Sequence, residues 1–308
     1  MTSAAGTTVS VHPLHGLEPD NLLAFLALLG LLRALEASQP QWQPRVDWAG
    51  DSLAARLHLS LSVTSTDIVA ACDQGISLLQ SAYVFDRPDP NYTAEQFRSA
   101  FHGSSNMERE RLAAALGSDV GRQGNEMAEI TLLCTMSGQG HQHFLERLNL
   151  AVKDPDGGVS ARRPELVRSL FSPWRYGGNP KLSFRWDPLE DRRYAYQYGN
   201  PEESRNKIGS EPGACRLAAV GFTAFTSAPA VTGLRTIGGA RHRLEICWPI
   251  VQVPTSLAGH VALLAHPWLV QPDLSPRLRA YGVRAIARSR RYTVGRFRSF
   301  ERATIQPL

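Results

Sequence analysis

A long apolar segment near the start of the chain is the clearest element in the sequence. From Asn21 to Ala37 almost every side chain is apolar, with no polar stripe along one side. A helix of this composition must be buried on all its faces. Pro19 fits the first turn of such a helix, and Glu18 and Asp20 lie where its positive end would be. The pattern therefore predicts a deeply buried helix.

Further elements follow from alternation and from capping signals. Residues 53–63 largely alternate leucine or valine with polar side chains, which is typical of a half-buried strand. Thr93 with Gln96 and Ser105 with Glu108 both fit a capping box, and each predicts a helix start. The pattern also predicts helices near 66–80, 94–102, 106–116, 139–152, 164–170, 212–221 and 256–265, and strands near 182–187, 192–198, 232–237 and 242–253. The predicted fold class is α+β, with mixed helices and antiparallel strands, a helix-rich first half and a basic β-ribbon at the C-terminus.

A turn-rich stretch near the middle of the chain marks a candidate domain boundary. Residues 153–158 read Lys-Asp-Pro-Asp-Gly-Gly, a composition that favours turns. The sequence therefore predicts an N-terminal α+β region over 1–153, with the buried first helix, and a C-terminal α+β region over 159–308, with the basic segments. Short connections inside one domain look the same, so one continuous domain stays an alternative.

Positive charge is concentrated at the C-terminal end. Residues 277–302 contain nine arginines and one acidic residue, Glu301, whereas the whole chain carries only +5. The remainder of the chain is therefore net negative. Tyrosine and phenylalanine side chains are interleaved with these arginines. Such a segment is typical of a surface that follows phosphate groups, and aromatic rings add faces on which bases or guanidinium groups stack.

The spacing of these arginines predicts their arrangement. From Arg284 onwards all but Arg291 occupy even-numbered positions, and alternate side chains of an extended strand share one face. A ribbon with a turn or bulge at Gly295 would place the even-numbered set on one side: Arg284, Arg288, Arg290, Arg296, Arg298 and Arg302. We expect nucleic-acid contact from this segment, Arg291 included. A merely solvated basic face is the alternative.

A second basic and aromatic cluster covers residues 172–198. Its candidate nucleic-acid contacts are Arg175, Asn179, Lys181, Arg185, Arg192 and Arg193. Two glycines precede Asn179 and allow the backbone to approach a ligand closely, while the amide suits the edge of a base. The alternative is an ordinary turn in which Asp187, Glu190 and Asp191 pair with neighbouring arginines. The sequence leaves both interpretations open.

A glycine-rich loop precedes the helix predicted near 139–152. It contains Gly138, Gln139, Gly140 and His141, and backbone amides at a helix start suit a phosphate group or a nucleic-acid backbone. His141 and His143 are two positions apart and do not share a helix face, so no metal site is expected. A nucleic-acid- or nucleotide-acting enzyme that uses these two histidines is an alternative function.

Composition narrows the class of protein. A hydrophobic content of 43% with 20% charged residues suits a folded protein. The four cysteines are far apart without a CxxC pair, which predicts free thiols in a reducing cytoplasm. The apolar run at 22–32 has no basic residue before it and is too short to span a bilayer. We therefore expect a soluble, cytoplasmic protein that contacts no membrane.

The chain has no recognisable hydrolase or metalloprotease motif, so we expect no catalysis and no cofactor.

Several stretches resemble the large subunits of type I-U/I-G CRISPR Cascade complexes. One is a Phe-Leu-Ala-Leu-Leu-Gly-Leu-Leu run inside residues 14–33. The others are Met136–His141, Asp187–Tyr194 and Arg216–Phe225, and the set spans residues 14–225.

The resemblance implies a non-catalytic nucleic-acid-binding subunit at one end of a guide-RNA ribonucleoprotein. Such a subunit would contact the 5′ handle of the guide RNA and recognise the short duplex motif, the PAM, beside the double-stranded target DNA. Its partners would be other Cascade-type protein subunits, and its role antiviral defence. From the residues alone, a structural protein whose arginines bind acidic protein surfaces is a further alternative.

Overall fold

A computed structural model describes residues 9–103, 105–120, 126–136, 143–154, 161–176, 182–190, 210–231, 233–294 and 297–308. Its helices are α1 Leu22–Ser38, α2 Ser65–Leu79, α3 Ala94–Phe101, α4 Met107–Leu116, α5 Phe144–Val152, α6 Arg162–Phe171, α7 Pro212–Gly221 and α8 Leu257–Ala265. Its strands are β1 Ser10–Pro13, β2 Arg45–Ala49, β3 Ala54–Leu59, β4 Gly117–Ser118, β5 Glu129–Ile130, β6 Ser227–Ala230, β7 Gly233–Thr236, β8 Gly239–Ala240, β9 Glu245–Val251, β10 Val283–Val294, β11 Phe297–Phe300 and β12 Thr304–Pro307. The predicted α+β class is confirmed.

Helix α1 lies at the centre of the core. Its residues 22–35 are all buried, which confirms the prediction from its apolar pattern. The Asn21 side chain caps it by accepting hydrogen bonds from the amides of Leu23 at 2.9 Å and Ala24 at 3.4 Å. Helix α7 packs so closely along α1 that a Cβ atom at Gly30 would lie 1.8 Å from the carbonyl oxygen of Leu217. Glycine at this position therefore brings the two helix backbones together.

The described residues form four antiparallel sheets, of which β4–β5 and β6–β7 have two strands each and the other two are larger. Of these other two, the smaller has the strand order β1-β3-β2. In the larger, β8, β9 and β10 are neighbours, and the far edge of β10 is shared between two strands. Strand β12 pairs with residues 285–288 of β10, and β11 pairs with residues 291–294. The second half of β10 therefore forms a hairpin with β11 at one end of the sheet.

Local signals predicted most helix starts. Thr93 and Gln96 form the expected capping box at α3. At α4 the predicted cap was wrong by one residue, since Asn106 and not Ser105 accepts from the first amides, at 3.0 Å from Glu108 N. Asparagine is a strong cap because its short side chain reaches these unpaired amides.

The strand predicted near 182–187 is absent from the described part of this segment. Residues 188–190 form a 3₁₀ turn, and Arg185 has a φ of +59°, which an extended strand does not adopt. Pro188 also lacks the amide hydrogen that a strand ladder requires. The strand predicted near 192–198 lies outside the described residues.

Contacts cross the predicted boundary near 153–159. Buried side chains from both sides of it form one continuous core cluster. The guanidinium of Arg162 in α6 donates to the carboxylate of Asp73 in α2, with Nε 2.8 Å from Oδ1, and both residues are buried. No described helix combines the length and the apolar character needed to cross a lipid bilayer.

Candidate nucleic-acid interface

The hairpin of β10 and β11 divides the C-terminal arginines between two faces. Arg298 lies directly opposite Thr293, and opposite residues of an antiparallel pair share a face. Arg298 therefore lies on the same face as Arg291, whereas Arg290 points to the other face. The prediction of one face for the even-numbered arginines is wrong for Arg298, because the pairing register places odd-numbered residues of β10 opposite even-numbered residues of β11. Arg296 lies outside the described residues.

Two of the predicted contacts are bound by other parts of the protein. Arg284 donates from Nη1 to the carbonyl oxygen of Gly50 at 2.7 Å. Arg288 donates from Nε to Oε1 of Gln306 at 2.8 Å and from Nη1 to the sulfur of Cys247 at 3.3 Å. These bonds hold β10 to its neighbours and leave these arginines fewer donors for a ligand.

Arg302 is bound at the start of α1. Its Nη1 lies 3.0 Å from Oε2 of Glu18 and 2.8 Å from Oδ1 of Asp20. The pKa of Arg302 is raised, chiefly by the hydrogen bond to Asp20. Its charge is therefore paired with two carboxylates at the protein surface, and this arginine links the C-terminal sheet to the start of α1.

Arg290 and Arg298 have no carboxylate partner within the part of the chain that the structure describes. Arg290 is exposed and Arg298 partly exposed. Glu245 lies opposite Arg290 in β9, but its Oε2 accepts from Nε of Arg243 at 2.6 Å. Glu301 also lies opposite Arg290, since its amide donates to the carbonyl oxygen of Arg290 at 3.0 Å. Uncompensated positive charge therefore lies chiefly on the face of Arg291 and Arg298.

Arg291 occupies a recess beside Arg298. Its Nη1 donates to the carbonyl oxygen of Leu132 at 2.9 Å. Burial, followed by the charges of Arg298 and Arg241, lowers the pKa of Arg291 to about 10. Arg241 itself pairs with Glu129, with Nη2 2.7 Å from Oε2. Three guanidinium groups therefore come together with one carboxylate among them.

Arg175 lies in a segment that the fold holds in place. Trp174 donates from Nε1 to the carbonyl oxygen of Ser169 at 2.9 Å. The buried carboxylate of Glu211 accepts from the amides of Arg175 at 2.8 Å and Tyr176 at 2.7 Å. The side chain of Arg175 is exposed, so the anchored backbone presents it to solvent.

Arg185 lies close to the buried carboxyl group of Glu190, which in turn lies near that of Asp187. Burial raises the pKa of Asp187 to about 6. Burial, followed by the charge of Asp187, raises the pKa of Glu190 to about 7, while Ser183 and Arg185 lower it. The positive charge of Arg185 therefore acts partly within the protein.

The remaining predicted site residues lie outside the described residues: Gly138, Gln139, Gly140, His141, Asn179, Lys181, Arg192 and Arg193. The chain on either side of the predicted phosphate loop is described. Cys134 is buried, and the charges of Arg298 and Arg291 act on its thiol. After the loop, Nδ1 of His143 lies 2.7 Å from Oδ2 of Asp89. The structure therefore brings the segment before the predicted loop together with the predicted arginine hairpin.

Sequence reasoning missed Arg241. It belongs to the 3₁₀ turn Arg241–Arg243 between β8 and β9, and the run Arg-His-Arg is a short basic signal on its own.

Among the described residues, no group of three His, Cys, Asp or Glu side chains is arranged to hold a metal ion. Comparison with known proteins adds no relative, since no family model, curated protein or solved structure matches the chain.

Proposed function

We propose that the protein is a non-catalytic nucleic-acid-binding subunit of an RNA-guided antiviral complex of the CRISPR Cascade type. The observation that carries the nucleic-acid part is the β10–β11 hairpin, where Arg290, Arg291 and Arg298 have no carboxylate partner within the described residues. Arginine is suited to phosphate because its planar donors match the oxygen geometry and its charge persists at every physiological pH.

The assignment to a CRISPR Cascade complex rests on the resemblance of residues 14–225 to Cascade large subunits. In this proposal the partners are guide RNA, double-stranded target DNA and other Cascade-type subunits. Arg175 and the hairpin contact phosphate groups of the guide RNA 5′ handle or of the duplex that carries the flanking motif. Base pairing with the guide RNA would supply the rest of the sequence recognition.

Salt dependence of duplex binding tests the nucleic-acid part. Wild-type affinity should fall steeply between 50 and 200 mM salt, by roughly 10³–10⁵-fold if six or more phosphates are contacted. Replacing Arg290 and Arg298 with glutamine should reduce the slope of log K against log salt by about 2, since each phosphate contact contributes about 0.9. The double variant Arg45→Gln with Arg235→Gln removes the same charge elsewhere and should retain the wild-type slope.

A flat salt dependence in the wild type would contradict the proposal. Equal slopes in the two double variants would place the phosphate contacts elsewhere. Salt-sensitive binding to an acidic polypeptide, without affinity for DNA or RNA, would favour the alternative of an acidic protein partner. Co-purified RNA of uniform length, after expression with neighbouring genes, would support the Cascade assignment.

A nucleic-acid- or nucleotide-acting enzyme is the second candidate, and the pair of His143 and Asp89 favours it. A carboxylate 2.7 Å from a histidine nitrogen can orient the ring for proton transfer. Cys134, the nearby thiol, is buried with its pKa raised to about 12, so it is a poor nucleophile. Metal-dependent cleavage of DNA or RNA that disappears in His143→Ala would establish the enzyme and overturn the non-catalytic assignment.

A further inference from the structure

The shared face of the β10–β11 hairpin gathers arginines around one point. Arg291 lies opposite Phe300, and Arg298 is two residues before Phe300. The two arginines are thus diagonal neighbours, whose Cβ atoms lie about 7–8 Å apart, within reach of long side chains. The charge of Arg241 also acts on Arg291, so the three guanidinium groups lie near one another and their positive potentials add in the space between them.

Two of these three charges lack compensation. Glu129 neutralises Arg241. Arg291 and Arg298 form no ion pair with any residue that the structure describes. Asp89 is the other carboxylate whose charge acts at Cys134, but its Oδ2 is engaged by His143 at 2.7 Å. The space therefore carries an excess of about two positive charges.

The guanidinium of Arg291 is oriented by one hydrogen bond and keeps a buried donor without a partner. Its Nη1 is fixed by the carbonyl oxygen of Leu132, while its Nε is buried and has no hydrogen-bond partner in the described structure. The Nε and Nη2 edge of arginine binds oxyanions through two parallel bonds. Arg56 uses this edge elsewhere in the protein, where Nε and Nη2 lie 2.8 and 2.6 Å from the oxygens of Asp47.

A buried donor without a partner is costly, and an oxyanion removes that cost by accepting its hydrogen bond. The charge of the ligand follows from the charge of the space. A phosphodiester inside a strand carries one negative charge, whereas a phosphomonoester carries about −1.5 to −2 at pH 7. Only the phosphomonoester carries enough negative charge to compensate the positive charges of both Arg291 and Arg298.

We propose that Arg291, Arg298 and Arg241 form a binding site for the terminal phosphate of a nucleic-acid strand. Arg291 binds two phosphate oxygens through its Nε and Nη2 edge, and Arg298 binds from the neighbouring strand. Arg241, held by Glu129, adds positive potential. The inference rests on the proposed nucleic-acid function and deepens it, since it assigns one face of the hairpin to a strand end and leaves Arg290, on the opposite face, to the backbone.

The test compares oligonucleotides of one sequence with a 5′-phosphate, a 3′-phosphate or hydroxyl groups at both ends, in single-stranded and duplex form. The wild type should bind one phosphorylated end about tenfold or more tightly than the hydroxyl form, since hydrogen bonds to charged groups are individually strong. Arg291→Lys retains the charge but loses the bidentate edge, so it should abolish the preference for the phosphorylated end. Arg290→Lys, the matched control on the opposite face, should retain the preference.

The outcomes separate this inference from the proposed function. Equal affinity for phosphorylated and hydroxyl ends, with steep salt dependence retained, overturns the terminal-phosphate site and leaves the nucleic-acid function standing. No binding to any oligonucleotide at 50 mM salt overturns both. A thermal shift with inorganic phosphate alone, without an end preference, would also overturn the assignment to a strand end. If Arg291→Lys melts early, Arg298→Lys replaces it, with the same loss of preference expected.

Discussion

His260 is a buried histidine whose ring nitrogens have no hydrogen-bond partner within the described structure. It lies in α8 with no exposed surface, and its ring meets that of Phe25 edge-on at a centroid distance of 6.1 Å. Burial lowers its pKa from 6.5 to about 4. The folded protein therefore holds this ring neutral in a pH range where the unfolded chain protonates it.

The size of the effect follows from this pKa difference. Below pH 6.5 the unfolded state takes up a proton at His260 that the folded state accepts only near pH 4. The folded protein therefore loses stability as the pH falls through this range, by about 3 kcal/mol at pH 4. His260→Leu cannot titrate and also removes two unpaired buried nitrogens. We expect this variant to be about 1 kcal/mol more stable than the wild type at pH 7.

Urea unfolding at several pH values between 4 and 7.5 measures the effect. The informative quantity is the difference in unfolding free energy between His260→Leu and the wild type, because it cancels the other titrating groups. That difference should grow by about 3 kcal/mol from pH 7 to pH 4. His15→Leu replaces an exposed histidine and should follow the wild type. If His260→Leu and the wild type lose the same stability on acidification, the ring is not isolated from water and the reasoning is wrong.

Two further predictions concern the core. Phe25 is fully buried and stacks on Trp248 at a ring-centroid distance of 5.5 Å, so Phe25→Ala should lower the unfolding free energy by about 3–5 kcal/mol in urea unfolding. Leu78→Ala is the control, because the side chain of Leu78 is 56% exposed. This control should cost less than about 0.5 kcal/mol. The pKa of Glu190 is raised to about 7, so the stability that its protonated form contributes is complete at acidic pH and is lost as the pH rises through 7. Glu190→Gln should therefore match the wild type at pH 4 and exceed its unfolding free energy at pH 8 by about 2–3 kcal/mol. An equal difference at both pH values would contradict the raised pKa.

The arginine segment shows where sequence reasoning ends. Its composition and the aromatic residues between the arginines predicted a basic ribbon, and the chain does form a β-hairpin there. The one-face arrangement failed because alternation describes a single strand, whereas the pairing register of β10 and β11 decides which positions of the two strands share a face. The sequence also gave no sign that Arg284, Arg288 and Arg302 would be bound by distant partners.

Local sequence patterns were sufficient to predict the α+β class, the burial of α1 and most helix starts. These properties depend on side chains within a few positions of each other, through helical periodicity, strand alternation and caps. The folded arrangement alone establishes which arginines stay uncompensated and that Arg241, Arg291 and Leu132 meet. Those contacts join residues up to 159 positions apart. The pairing of distant strands creates them, and no local pattern encodes which distant carboxylate or carbonyl group a given guanidinium will find.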